Sequence, residues 1–379
     1  MQKVYNKFDN KYLYTIIRQL YFIGNALLYW IYEYFGINLL SYITIRAGVA
    51  FFIALFLTLF LLPRFIKWAQ KTSSVQPINE WAPDRHKEKA STPTMGGIIF
   101  IFATIIAALF SLKLSNPYAI GGILTLILFA AIGFQDDYAK IKENENLAGL
   151  KARTKLLLQI LAGGIISLYL YFYANFNTEL YLPFLKNSVC DMEIYAIFFW
   201  ILAFVATSNA VNLTDGLDGL ATVPSIAALI SLSIIIYIVG NAKLSSYLLL
   251  PNYPIGEMVI LSSALIGALT GFLWYNCHPA EIFMGDSGSL TIGAFLAYLA
   301  IISKSEFLLL LMGSIFLIET LSVILQVGSY KIRKKRIFLM APIHHHFEMK
   351  DWAENKIIVR FWIIAILSNI VALISLKIR

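Results

Sequence analysis

The stretch GGILTLILFAAIGFQDDYAK (121–140) decides the fold. An uncharged run ends abruptly in Asp136 and Asp137, with Lys140 one helical turn further on. Such a run reads as a membrane-spanning helix. A carboxylate beside lipid is costly unless a partner, a cavity or an ion receives it. The pattern recurs along the chain. NAVNLTDGLDG (209–219) closes the apolar run 192–210 and carries Asp215 and Asp218, while FMGDSGS (283–289) follows the run 257–275 and carries Asp286. A fourth polar break reads PIHHHFE (342–348).

Composition supports the same class. Hydrophobic residues make up 59% of the 379 and charged residues 14%, with a mean hydropathy of +0.72, against about 25% charged in soluble domains. Ten apolar segments fall near 45–69, 94–112, 118–135, 155–174, 192–210, 219–239, 257–275, 288–303, 307–329 and 357–376. The expected fold is an all-α polytopic membrane protein of about ten transmembrane helices. Residues 1–44 form an N-terminal interfacial segment and 45–379 a single integral-membrane domain. Within the first part, 12–35 is interrupted by Arg18 and Glu33 and rich in Tyr, Trp and Phe. It reads as a helix lying on the membrane surface, with an eleventh span as the alternative.

The net charge of +8 is concentrated in the loops after odd-numbered spans: Arg64 to Lys89, Lys140 to Lys155, and Lys331 to Arg336. The loops after even-numbered spans offer only Lys113, Lys186, Lys243 and Lys304. The positive-inside bias then puts the odd-to-even loops in the cytoplasm and both termini on the outer, periplasmic side. All four polar breaks thereby share the cytoplasmic face, where one site could gather them. Nothing resembles a nucleic-acid surface, with no interleaving of basic and aromatic residues. Cys190 and Cys277 lack metal-ligand spacing and fall on opposite faces, so no disulfide is expected.

Each break admits a plain reading beside a functional one. Asp136 and Asp137 could be solvated helix-end acids, although acids at a helix C-terminus oppose its dipole. Asp218 and Asp286 could be N-caps of the helices that follow. Against this, Asn209 and Asn212, like Asp215 and Asp218, repeat at a spacing of three that lines one helix face. Gly216 and Gly219 allow close backbone approach to a ligand. Phe283 could stack on a base or anchor in lipid. The histidines could bind zinc, but carboxylates dominate the other breaks, so a hard cation with histidines on phosphate fits better. Lys89, Thr94, Lys140 and Lys155 occupy the same loops. Glu319 and Gln326, inside the ninth span, read as helix–helix hydrogen-bonding groups. Without a Walker-type phosphate loop, the set points to a Mg²⁺-bound diphosphate.

PTMGG (93–97), DDYAK (136–140), NAVNLTDGLDGLA (209–221), FMGDSGSL (283–290) and APIHHHFE (341–348) together resemble the phospho-N-acetylmuramoyl-pentapeptide transferase family. That family lies within the polyprenyl-phosphate N-acetylhexosamine-1-phosphate transferases. The resemblance spans nearly the whole chain; Gln135 departs locally, where an apolar residue is expected. It implies attack by undecaprenyl phosphate on the β-phosphate of UDP-N-acetylmuramoyl-pentapeptide. The products would be UMP and the first lipid-linked intermediate of peptidoglycan, made at the bacterial inner membrane.

By motif position it implies Asp286 as the Mg²⁺ ligand, with Asp136 and Asp137 as further candidates for the metal and for aligning the lipid phosphate. His345 joins these three as catalytic. Substrate binding would fall to Lys89, Thr94, Lys140, Lys155, Asn209, Asn212, Asp215, Gly216, Leu217, Asp218, Asn276, Phe283, His344 and His346. A second copy of the chain, as a homodimer, is the one protein partner admitted. Direct attack is favoured over a phospho-enzyme, because a phosphate monoester is already a competent nucleophile. The alternatives are a transferase using UDP-N-acetylglucosamine and, more remotely, a transporter. Transporters place their binding groups near the bilayer midplane, whereas these acids sit at span ends.

Overall fold

The computed structural model describes residues 27–71, 92–143 and 149–378, which are almost wholly helical. The helices in chain order are α1 (Leu27–Phe35), α2 (Ile43–Lys71), α3 (Gly96–Ser111), α4 (Pro117–Glu143) and α5 (Ala152–Leu168). Then come α6 (Tyr195–Thr214), α7 (Thr222–Val239), α8 (Ala242–Leu248), α9 (Met258–Asn276) and α10 (Gly285–Ile302). The chain closes with α11 (Glu306–Met312), α12 (Ser314–Arg333), α13 (Ile343–Glu348) and α14 (Glu354–Ser375). A two-stranded antiparallel hairpin, β1 (Glu179–Leu180) with β2 (Cys190–Asp191), lies between α5 and α6.

Among the described residues, nine helices are long and apolar enough to cross a membrane: α2, α4, α5 with the π-turn that extends it to Tyr173, α6, α7, α9, α10, α12 and α14. The expected second span is α3, apolar but only 16 residues long. The expected ninth span is broken at Gly313 into α11 and α12. Of the segment 12–35, only α1 lies within the described residues, and the expectation for 12–26 falls outside them.

The centre of the bundle is α10, buried without interruption from Ser287 to Ile302 and packed on α3, α4, α6, α7 and α11. Lipid gives helices no hydrophobic drive to associate, so close packing of small residues must do it. A Cβ on Gly293 would lie 2.5 Å from the Thr207 carbonyl oxygen of α6. One on Gly97 of α3 would lie 2.2 Å from the Gly288 nitrogen. The helices touch through backbone at these points.

At the opposite end from the aspartates, Arg46 of α2 forms a buried bidentate pair with Glu257, just ahead of α9, at 2.9 and 2.7 Å. Glu257 also accepts the Lys113 backbone N–H, and Arg46 donates to the Ser111 carbonyl, so the pair joins α2, α9 and the end of α3. Cys190 and Cys277 are both free thiols.

Candidate active site

Four helix ends converge on Asp286. Its Oδ2 accepts from Lys155 Nζ at 2.6 Å and Lys140 Nζ at 2.9 Å, and its Oδ1 accepts from Asn212 Nδ2 at 2.6 Å. Lys140 comes from the end of α4, Lys155 from the first turn of α5, and Asn212 from the last turn of α6. Asp136 lies on the same two ammonium groups: Lys140 Nζ is 2.5 Å and Lys155 Nζ 3.8 Å from its Oδ2, while its Oδ1 accepts the Leu150 N–H. Two lysines thus neutralise two nearly buried carboxylates, a close charge balance where water is scarce.

Asp137 is placed differently. Its two oxygens accept the backbone N–H groups of Asp286 and Ser287, each at 2.9 Å. These are among the unpaired donors at the start of α10, at the positive end of its dipole. The approach requires Gly285, whose φ is +74° and where a Cβ would come within 2.6 Å of Asp137 Oδ2. The ligand atoms of Asp136, Asp137 and Asp286 lie within 4.8 Å of one another.

The motif NAVNLTDGLDG ends α6 and forms the turn after it. No hydrogen bond reaches the Asp215 carboxylate among the described residues. Burial, with the charges of Asp286, Asp137 and Asp218, pushes its pKa up to about 8. Asp218 is buried, its Oδ2 3.0 Å from His278 Nδ1 and accepting the Ala280 N–H. Glu354, at the start of α14, lies 3.7 Å from the same ring. Leu217 packs in a small apolar cluster with Ile357 and Phe361.

Asn209 exchanges amide bonds with Gln159 of α5 and also donates to the Val205 carbonyl. Asn276, buried, accepts from Thr222 and donates to the Ile282 carbonyl, which holds the loop 277–282. Both amides are occupied within the protein. Phe283 pairs its backbone with Pro93 and Gly96, beside buried Thr94. Its half-buried ring makes no aromatic contact among the described residues. Lys89 lies outside the described residues.

The histidines occupy α13. His344 is buried against Glu319 of α12. His345 Nδ1 is 2.6 Å from Glu348 Oε2. His346 Nδ1 accepts the Leu339 N–H, which puts the proton of its neutral ring on Nε2. Burial and then Lys350 hold His346 below the usual histidine value. The expectation of helix–helix hydrogen bonds for Glu319 and Gln326 is not met. Gln326 binds the backbone of Ile337 and Phe338, folding the loop ahead of α13 onto α12.

Sequence reasoning missed His278, Glu354 and Gln159, and singled out Glu319 only as a helix–helix group. His278 could have been suspected from its neighbourhood, two residues after Asn276 and eight before Asp286; Glu354 and Gln159 give no local signal. An apolar cavity of about 270 Å³ lies between α6, α10, α11 and α12, lined by Phe199, Ala203, Ala297, Phe307, Phe316 and, nearest the aspartates in sequence, Ala210.

Known proteins are similar to this chain in sequence. The profile of glycosyl transferase family 4 matches residues 119–304, and the signature 1 of phospho-N-acetylmuramoyl-pentapeptide-transferase matches 89–101. The phospho-N-acetylmuramoyl-pentapeptide-transferase of Sulfurimonas denitrificans is 76% identical over 93% of this chain and 100% of its own. Those of Nitratiruptor and Wolinella succinogenes are 63% and 61% identical over the same shares. With identity of this order over almost its whole length, the chain belongs to the phospho-N-acetylmuramoyl-pentapeptide-transferase family.

Proposed function

We propose that the chain transfers phospho-N-acetylmuramoyl-pentapeptide from its UDP-linked donor to undecaprenyl phosphate, releasing UMP, at the cytoplasmic face of the bacterial inner membrane. The observation that carries this reading is the Asp286 knot, where two lysines, an asparagine amide and a capped helix start converge on one carboxylate. Phosphoryl transfer rests on positioning and charge stabilisation more than on covalent chemistry. A cluster of this kind at the membrane surface supplies both.

The donor atoms fit Mg²⁺. They are all carboxylate oxygens, the ligand type of a hard cation, and Asp136 Oδ2 is buried without an aligned hydrogen bond. Asp286 and Asp136 would hold the ion, because the oxygens of Asp137 are already bound to backbone. When bound, Mg²⁺ supplies positive charge to the diphosphate. Lys140 and Lys155, released from carboxylate, would turn to phosphate oxygens. Asp136 would align the lipid phosphate for direct attack, and Asp215 would meet the nucleotide half of the donor. His345 and His346, adjacent on α13, would take further phosphate or sugar oxygens. The apolar cavity beside α6 would receive the prenyl chain, which keeps its phosphate at the end where the aspartates lie.

UMP release from UDP-N-acetylmuramoyl-pentapeptide and undecaprenyl phosphate, with and without Mg²⁺, tests this directly. UDP-N-acetylglucosamine runs beside it as competing donor. Expected is metal-dependent release with the muramoyl donor alone; release with the glucosamine donor alone would overturn the reading.

A further inference from the structure

Glu319 lies well inside the spanning helix α12, and its side chain is 0% exposed. A carboxylate in that position is expensive and marks a specific task. Its compensation is single. Oε1 lies 3.1 Å from Nδ1 of His344, itself 1% exposed, in an ion-pair contact that is not aligned as a hydrogen bond, and no hydrogen bond reaches either side chain among the described residues. The other side of the ring faces the turn after α6. A Cβ on Gly216 would sit 2.3 Å from His344 Nε2 and 2.7 Å from its Cε1, so the ring fills the space a side chain there would need. The imidazole is therefore a spacer between a carboxylate inside the membrane and the Asp215–Gly216 backbone.

A pair that only tied α12 to α13 could be replaced by well-packed apolar residues at little cost. It would also have no need of a bare backbone at Gly216. The arrangement is instead that of a histidine oriented by a carboxylate on one nitrogen so that the other faces a working part. We propose that Glu319 is a positioning residue. It fixes His344 through Nδ1, and His344 sets the turn Asp215–Leu217 that receives the nucleotide half of the donor. The inference rests on the transferase reading above.

The test uses the full-length protein in detergent. KM is measured separately for the UDP-linked donor and for the lipid phosphate, and UMP binding by calorimetry. Glu319→Gln, which keeps the volume and removes the charge, is expected to raise the donor KM about tenfold, the usual scale for an orienting partner. UMP binding should weaken in parallel, with the acceptor KM unchanged. Adding Glu319→Ala to His344→Ala should change nothing further, because both act through one ring. Equal changes in the two KM values, additive losses, or an unmoved donor KM would overturn the proposal. Should Glu319→Ala not fold, Gly216→Ala presses the ring from its other side. A raised donor KM there supports the proposal, and an unchanged one overturns it. A wild-type chain without transfer activity fails the parent reading. Normal wild-type turnover with an unmoved donor KM in Glu319→Gln fails this inference alone.

Discussion

Asp137 caps the helix that carries Asp286: its Oδ1 accepts the Asp286 N–H and its Oδ2 that of Ser287, each at 2.9 Å. An acid at the end of one spanning helix caps the start of another, and the capped helix carries the central carboxylate of the site. Asp137→Ala should leave buried N–H groups at the start of α10 unpaired. The expected cost is about 1–2 kcal/mol of stability, together with lost turnover as Asp286 shifts. Thermal unfolding in detergent and UMP release measure the two effects. A variant with full stability and full activity would show that the cap is idle.

Asp286→Asn leaves the side-chain volume and the Asn212 contact in place but removes the charge that Lys140 and Lys155 share. Loss of a central electrostatic group commonly costs about 10²–10³ in turnover. We expect a loss of that order in UMP release, insensitive to added Mg²⁺, with the melting profile of a folded protein. Near-normal turnover would remove Asp286 from the centre of the chemistry.

The Arg46–Glu257 pair gives the opposite pattern. It lies far from the aspartates, with Arg46 buried and both terminal guanidinium nitrogens bound to the carboxylate. Arg46→Ala should cost about 3–5 kcal/mol, since it leaves a buried charge unpaired. The double variant Arg46→Met with Glu257→Leu should recover much of that loss. Denaturation in detergent reads the difference, and both KM values should stay near wild type. A selective change in donor KM would contradict a purely structural role.

Asp215 carries a pH signature. Its carboxyl titrates near 8 in the folded protein against 3.8 for the free side chain. Between about pH 4 and pH 8 the unfolded chain gives up this proton while the folded one keeps it, so stability falls as pH rises through that window and levels off above it. Asp215→Asn has no proton to lose. Its melting temperature should match or trail wild type near pH 5 and exceed it at pH 8. A gap independent of pH would mean that burial does not act on this group.

The spans were legible because hydropathy is a local property. Gly121 to Gln135 reads as a helix whatever surrounds it, and α4 forms there. The break of the ninth span at Gly313 was less visible, since α11 and α12 together keep one apolar stretch. The aspartates, Asn212 and the two lysines were legible as a group by their position at span ends. The roles of Asn209 and Asn276 were not. Asn209 is taken up by Gln159 and Asn276 by Thr222, partners 50 and 54 residues away that no local pattern announces. Glu319 was read as a tie between helices because nothing local distinguishes such a tie from a hold on a histidine 25 residues later.

By itself the sequence determined that the chain is a polytopic helical protein and that its four acidic and histidine-rich breaks belong together. Transfer free energies and the distribution of Lys and Arg depend on composition along the chain, and composition is what a sequence displays. Only the tertiary structure divided the labour among the aspartates. Asp137 caps α10, Asp136 and Asp286 share two lysines, Asp218 is bound to His278, and Asp215 is left without a hydrogen-bond partner among the described residues. The hydrogen bond from Asp286 to Asp137 joins residues 149 apart. It depends on the depth and rotation of each helix in the bundle, and those are set by packing between helices rather than by any one of them.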